Sequence, residues 1–185
     1  MSNEICVVSY GGVFPGAKNP AELFSNLLQG KQFVHDFREP LPSGAFYQNL
    51  SYFFDEKRRS ENRTYCPMGA FLDRRWTKEF AQQLQINHDD YTSAEIFLLE
   101  AAEQTLGKYQ NKINFKNSEI ILGATSIDLE YVGLLKLELM QDVLQIPSDS
   151  TIFQKIKSKL HKTNIPKERF TCANAVLNVV KKRYG

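Results

Sequence analysis

Three histidines (His35, His88, His161) and three cysteines (Cys6, Cys66, Cys172) hold most of the nucleophilic, basic and metal-binding potential of this 185-residue chain. Their spacing does not concentrate it. No histidine has a second histidine or a cysteine at metal-ligand distance in sequence, so solvated or hydrogen-bonded structural roles are expected for all three. Cys172 opens the last helical stretch, where a helix dipole would favour a thiolate. A small buried cysteine fits the same place, and no histidine lies nearby to serve as its base. His88-Asp89-Asp90 has the ingredients of acid-base chemistry, but it stands just before a helix, where the dipole alone favours an acidic turn. Two basic runs, "DEKRRSENR" (55–63) and "KIKSKLHK" (155–162), fit a solvated face or the docking of an acidic partner.

A phosphate cradle is the remaining chemical possibility. "VVSYGGVFPGAKNPAELFSNLLQG" (7–30) places an apolar run, a glycine-rich turn and a helix in the order used by nucleotide sites. The spacing excludes it. Gly11, Gly12 and Gly16 fit neither G-x-G-x-x-G nor G-x-x-x-x-G-K-[ST], and two turns separate the strand from the helix.

The elements that would position these groups are unequally clear. Ile5, Cys6, Val7 and Val8 form a continuous apolar run, as in a strand buried on both faces. Gly11 and Gly12 end it by permitting positive φ, and Pro15-Gly16 adds a second turn. Asn19 is an N-cap, Pro20 takes the first helical position, Glu22 follows, and Leu23, Phe24, Leu27 and Leu28 make one apolar face before Gly30 closes the helix. Residues 31–90 are aromatic-rich and broken by Pro40, Pro42 and Pro67, which reads as a packed excursion of loops and short pieces. Thr92-x-x-Glu95 is a capping box for a largely buried helix over 92–106, with Gly107 as its stop. "EIILGA" (119–124) reads as a second buried strand. Asp128 caps a helix over about 129–144, Ser148 or Ser150 caps another, Pro166 breaks the chain, and "NAVLNVVKKRY" is a final helix. The order strand-helix-strand-helix implies an α/β fold with a parallel sheet and helices on both faces.

Composition narrows the class further. A chain of this length can bury one real core, and 42% hydrophobic with 24% charged residues is ordinary for a globular protein. The net charge of +2 sets up no strong field for nucleic acid or membrane. No apolar run reaches membrane-spanning length, and the first residues lack the basic and apolar regions of a secretory signal. With three dispersed cysteines, reduced thiols in a cytoplasmic protein are expected. Neither metal nor cofactor is expected.

The opening stretch resembles the start of the ketosynthase (β-ketoacyl synthase) domain, which begins with an apolar strand, a glycine, an "FPGA" phrase and a helix ending in "L-x-x-G". Gly11, Phe14, Pro15, Gly16, Ala17, Pro20, Leu27, Leu28 and Gly30 carry the match. The "FPGA" phrase is similar to the polyketide-synthase branch rather than to stand-alone fatty-acid enzymes. "GAFLD" (69–73), "IFLLEAAEQTL" (96–106), "IILGATS" (120–126) and "NAVLNVVKKRYG" (174–185) resemble later family segments in the family's order. The family's "DPQQR" is replaced by "YTSAEI" (91–96).

The resemblance implies a partial thiolase-like fold over residues 1–185, and decarboxylative condensation of acyl and malonyl-type thioesters borne by acyl carrier protein. It implies a homodimer in the complete enzyme. The nucleophilic cysteine and two histidines are expected beyond Gly185, since Cys6, Cys66 and Cys172 do not match the nucleophile position, and this chain alone is expected to be inactive. Thr125 and Ser126, in the turn after the second strand, are expected to face the acyl pocket. Lys155, Lys157, Lys159 and Lys162 are expected to help dock the carrier. Two other readings stay open: a naturally short, non-catalytic relative that binds a carrier or partner, and an unrelated α/β enzyme using Cys172.

Overall fold

The computed structural model describes residues 6–36, 55–57, 66–110, 112, 119–121, 123, 143, 147, 150–151, 154, 165 and 173–184. Its ordered elements are helix α1 (Pro20–Leu28), strands β1 (His35–Asp36) and β2 (Met68–Gly69), and helices α2 (Trp76–Gln83), α3 (Ser93–Leu106) and α4 (Ala173–Tyr184). Short 3-10 turns at His88–Asp90 and Gly107–Tyr109 flank α3.

Helix α3 is the centre of the packing. Thr92 Oγ1 accepts from the Glu95 amide at 3.2 Å, and Glu95 Oε2 accepts from the Thr92 amide at 2.8 Å, which completes the expected capping box. Both residues are buried, so these bonds also prevent loss of hydrogen bonding on desolvation. No residue from 91 to 107 is fully exposed. Ile96 and Leu99 share one buried cluster with Phe80 and Leu84 and with Val179, Val180 and Tyr184 of α4. Three helices thus share one core, completed by edge-on aromatic contacts of Phe80 with Trp76 and Phe97. Gly107 is not a left-handed stop. Its φ is −53° and it leads into the 3-10 turn.

Helix α2 lies in the aromatic-rich stretch, where the sequence suggests only short pieces. Its cap residue Arg75 supplies no side-chain acceptor, so little in the sequence marks its start. Asp73 takes over part of that role: its Oδ1 accepts from the Arg75 amide at 2.9 Å and its carboxylate pairs with the Arg75 guanidinium. That hydrogen-bonded guanidinium holds the Asp73 carboxyl below the usual carboxylate range.

The ends of α1 and α2 are built alike from different residues. After α1, the Lys31 amide bonds Asn26 O and the Gly30 amide bonds Leu27 O, with Gly30 at φ 68°. After α2, the Ile86 amide bonds Ala81 O and the Gln85 amide bonds Gln82 O, with Gln85 at φ 57°. Gln85 occupies the left-handed region that Gly30 occupies without strain.

The sheet expectations are corrected in part. Among the described residues the only sheet is β1 with β2, an antiparallel pair in which His35 faces Gly69 and Asp36 faces Met68. Residues 6–10 and 119–121 are irregular rather than strands. Val7 and Ile121 are 87% and 92% exposed, the opposite of the expected burial. The physical reason is that a strand needs a neighbour for its amides and carbonyls, and no described strand lies alongside either run. The apolar face expected on α1 is also largely uncovered: Phe24, Leu27 and Leu28 are exposed, Leu23 is half-buried, and Asn26 is the buried residue of this helix. The expected helix over 129–144, the Asp128 cap and the Pro166 break fall outside the described residues, except that Val143 is helical. Ser150 behaves as a cap in its backbone, since its carbonyl accepts from the Gln154 amide at 2.9 Å. The final helix is present as α4.

Candidate functional site

The most constructed region around a sequence motif is the Phe14–Ala17 turn. Phe14 and Ala17 exchange backbone hydrogen bonds of 2.8 and 3.0 Å, with Pro15 and Gly16 at the tip and Gly16 at φ 74°. Ala17 is fully buried beneath it. One side chain fastens both ends of this loop to α3: Gln104 Oε1 accepts from the Gly12 amide at 3.1 Å, and its Nε2 donates to Lys18 O at 2.8 Å and Glu100 Oε1 at 3.0 Å. Gly11 lies so close to α3 that an added Cβ would stand 2.6 Å from Thr105 Oγ1 and 2.7 Å from Ala101 O. Neither Gly11 nor Gly12 has the positive φ expected of it; at Gly11 it is smallness that matters.

Lys18 continues the attachment to α2. Its Nζ donates to both Glu79 oxygens, at 2.6 and 2.7 Å, and lies 5.7 Å from the centroid of the Trp76 ring. On the other side of the turn, Asn26 Nδ2 donates to Gly16 O at 3.0 Å and Lys31 Nζ to Asn26 Oδ1 at 3.0 Å. The whole arrangement is a fastening of the loop, with its polar groups directed at one another.

His88 sits in a row of groups that looks chemical. Its Nε2 is 3.0 Å from Thr77 Oγ1 and its Nδ1 is 3.0 Å from Asp89 Oδ1, which is the order hydroxyl, imidazole, carboxylate. The hydroxyl is wrong for nucleophilic attack. Thr77 is 3% exposed and directs its proton to Arg74 O at 2.7 Å. The row braces the first turn of α2 against the 3-10 turn before α3, so His88-Asp89-Asp90 is the hydrogen-bonded turn expected from the sequence.

A third polar cluster ties α4 to α3. Glu103 Oε2 accepts from Tyr184 OH at 2.6 Å and Arg183 Nε at 3.1 Å, while another Arg183 nitrogen donates to Leu84 O at 3.1 Å. The Tyr184 hydroxyl, then Arg183, hold the Glu103 carboxyl below its ordinary range against the opposing effect of burial. Burial, first, and the neighbouring carboxylate push the Tyr184 hydroxyl above its own.

Of the residues singled out in the sequence, Thr125, Ser126, Lys155, Lys157, Lys159, Lys162, His161 and Cys172 lie outside the described residues. Gly123, just before "ATS" (124–126) in the sequence, has no atom within 4 Å of a Cβ built on it. Cys6 and Cys66 are exposed thiols, and Cys66 Sγ donates to Met68 O at 3.8 Å. Neither thiol opens a helix. Among the described residues no cluster of metal-ligating side chains occurs, and no helix is long and apolar enough to cross a membrane.

The sequence reading missed Gln104, Glu79 and Glu103, the acceptors and donors that hold the motif region and α4. A signal for two of them was present. Glu103 and Gln104 are polar positions on a helix read as buried on more than one face, and polar groups on such a helix must find protein partners.

Comparison with known proteins bears on the same segments. No curated protein and no solved structure matches the chain. The profile of the beta-ketoacyl synthase N-terminal domain matches residues 2–144, a span that includes the Phe14–Ala17 turn, α2 and α3. Because that match takes in most of the chain, the protein belongs to the beta-ketoacyl synthase family through its N-terminal domain, with the thiolase-like α/β fold which that domain implies.

Proposed function

We propose that the chain is the N-terminal part of a β-ketoacyl-[acyl carrier protein] synthase that works by decarboxylative Claisen condensation in polyketide or fatty-acid biosynthesis. The observation that carries this reading is the family match over residues 2–144. The "FPGA" phrase, seated as a fastened turn, supports the polyketide branch. In such an enzyme a cysteine thiolate attacks the acyl thioester and the carrier thiol leaves. A malonyl-type thioester then loses carbon dioxide, and its enolate attacks the acyl-enzyme, releasing the cysteine. Paired histidines stabilise the negative charge that develops on oxygen.

This chain's share is scaffold and recognition. Thr125 and Ser126 face the acyl pocket, and Lys155, Lys157, Lys159 and Lys162 steer the acidic carrier to the surface. The chain by itself forms no acyl-enzyme. Its cysteines match no nucleophile position, and without an activated thiolate residual binding adds little rate.

A second reading, a non-catalytic relative that binds a carrier or partner protein, draws support from residues 91–96. Where the family has "DPQQR", this chain builds a capping box from Thr92 and Glu95, a purely structural use of the segment. The coding sequence after Gly185 separates the two: a strand and a cysteine-bearing turn support the synthase, whereas a stop codon supports the binding protein.

The test in solution is incubation with an acyl-loaded carrier protein, reading binding and intact mass together. Binding at low salt, weakened when the four lysines become glutamate, and no acyl adduct are expected. Stoichiometric acylation that disappears in Cys172→Ser would overturn the assignment, and unchanged binding in the glutamate variant would remove the lysines from the docking surface.

A further inference from the structure

We draw no further inference here: the strongest candidate, the exposed apolar face of α1 formed by Phe24, Leu27 and Leu28, carries nothing because nothing in the structure shows what covers it.

Discussion

Helix α3 and the run at residues 6–8 are both apolar in sequence, yet α3 has no fully exposed residue while Val7 and Val8 stand in solvent. The run at 119–121 resembles the second case, and α4, through Val179, Val180 and Tyr184, resembles the first. The difference follows from where each element finds its hydrogen bonds. A helix satisfies its own amides and carbonyls, so two or three helices can close a core among themselves. An extended run must borrow partners from a neighbouring strand before burial becomes favourable. Apolar composition therefore states a demand for cover: α2, α3 and α4 meet it with one another, whereas α1, whose Phe24, Leu27 and Leu28 stay exposed, does not.

The contrast breaks most visibly under truncation. Leu99→Ala or Ile96→Ala should lower stability by about 2–5 kcal/mol, while Val7→Ala or Ile121→Ala should stay within about 0.5 kcal/mol. Urea unfolding followed by circular dichroism measures both. Equal losses would mean that the two runs are covered in solution.

Glycines sharpen the comparison at a smaller scale. Gly11→Ala forces a methyl against Thr105 and the Ala101 carbonyl of α3, and should cost about 1–3 kcal/mol in the same assay. Gly123→Ala meets open space and should be close to neutral. A harmless Gly11→Ala would show that the loop and α3 separate readily.

The joint between α3 and α4 gives the contrast a pH dependence. Glu103 has a depressed folded-state pKa, so its contribution is complete above the unfolded carboxylate pKa and is lost as pH falls through the lower folded value. Glu103 is 39% exposed, and solvent screening keeps the effect to on the order of 1 kcal/mol or less. Denaturation midpoints between neutral pH and acid should fall less steeply for Glu103→Gln than for the parent chain. An unchanged slope would assign the acid sensitivity to other carboxylates, Asp73 first.

The smallest expected effect is a gain. Gln85→Gly removes a side chain from the left-handed position that ends α2 and should stabilise by about half a kcal/mol, after the added freedom of the unfolded chain is deducted. Thermal melting resolves it, and a loss would show that Gln85 contributes more than its backbone conformation.

What could be read from the sequence was local. Asn19 with Pro20, Pro15-Gly16, Gly30 and the Thr92–Glu95 box each complete their interactions within a few residues, and each is present in the structure. Helix α2 was not legible, because Arg75 lacks the capping oxygen that would announce it and Asp73 acts from two residues away. The buried-strand readings at 5–8 and 119–124 failed in the described residues for the converse reason: an apolar run says nothing of where its neighbour is. Gln104 and Glu103 act over 80 residues or more, beyond any spacing rule. The expected site residues Thr125 and Ser126 were read from a strand-end turn together with family resemblance, and the four lysines from a basic run; all six positions lie outside the described residues.

Gln104 closes a loop with Gly12, 92 residues earlier, and that separation sets a timetable during synthesis. The Pro15-Gly16 turn can form as soon as it leaves the ribosome, but its anchor has yet to be translated. At about 5–20 residues per second, roughly 5–20 s pass before Gln104 follows Gly12 out of the tunnel. Throughout that interval the N-terminal segment has no α3 to rest on, and Val13 and Ala17, both partly or wholly covered later, are open to water and to chaperones. The segment around Gly12 thus acquires its anchor only after a residue 92 positions later has been made.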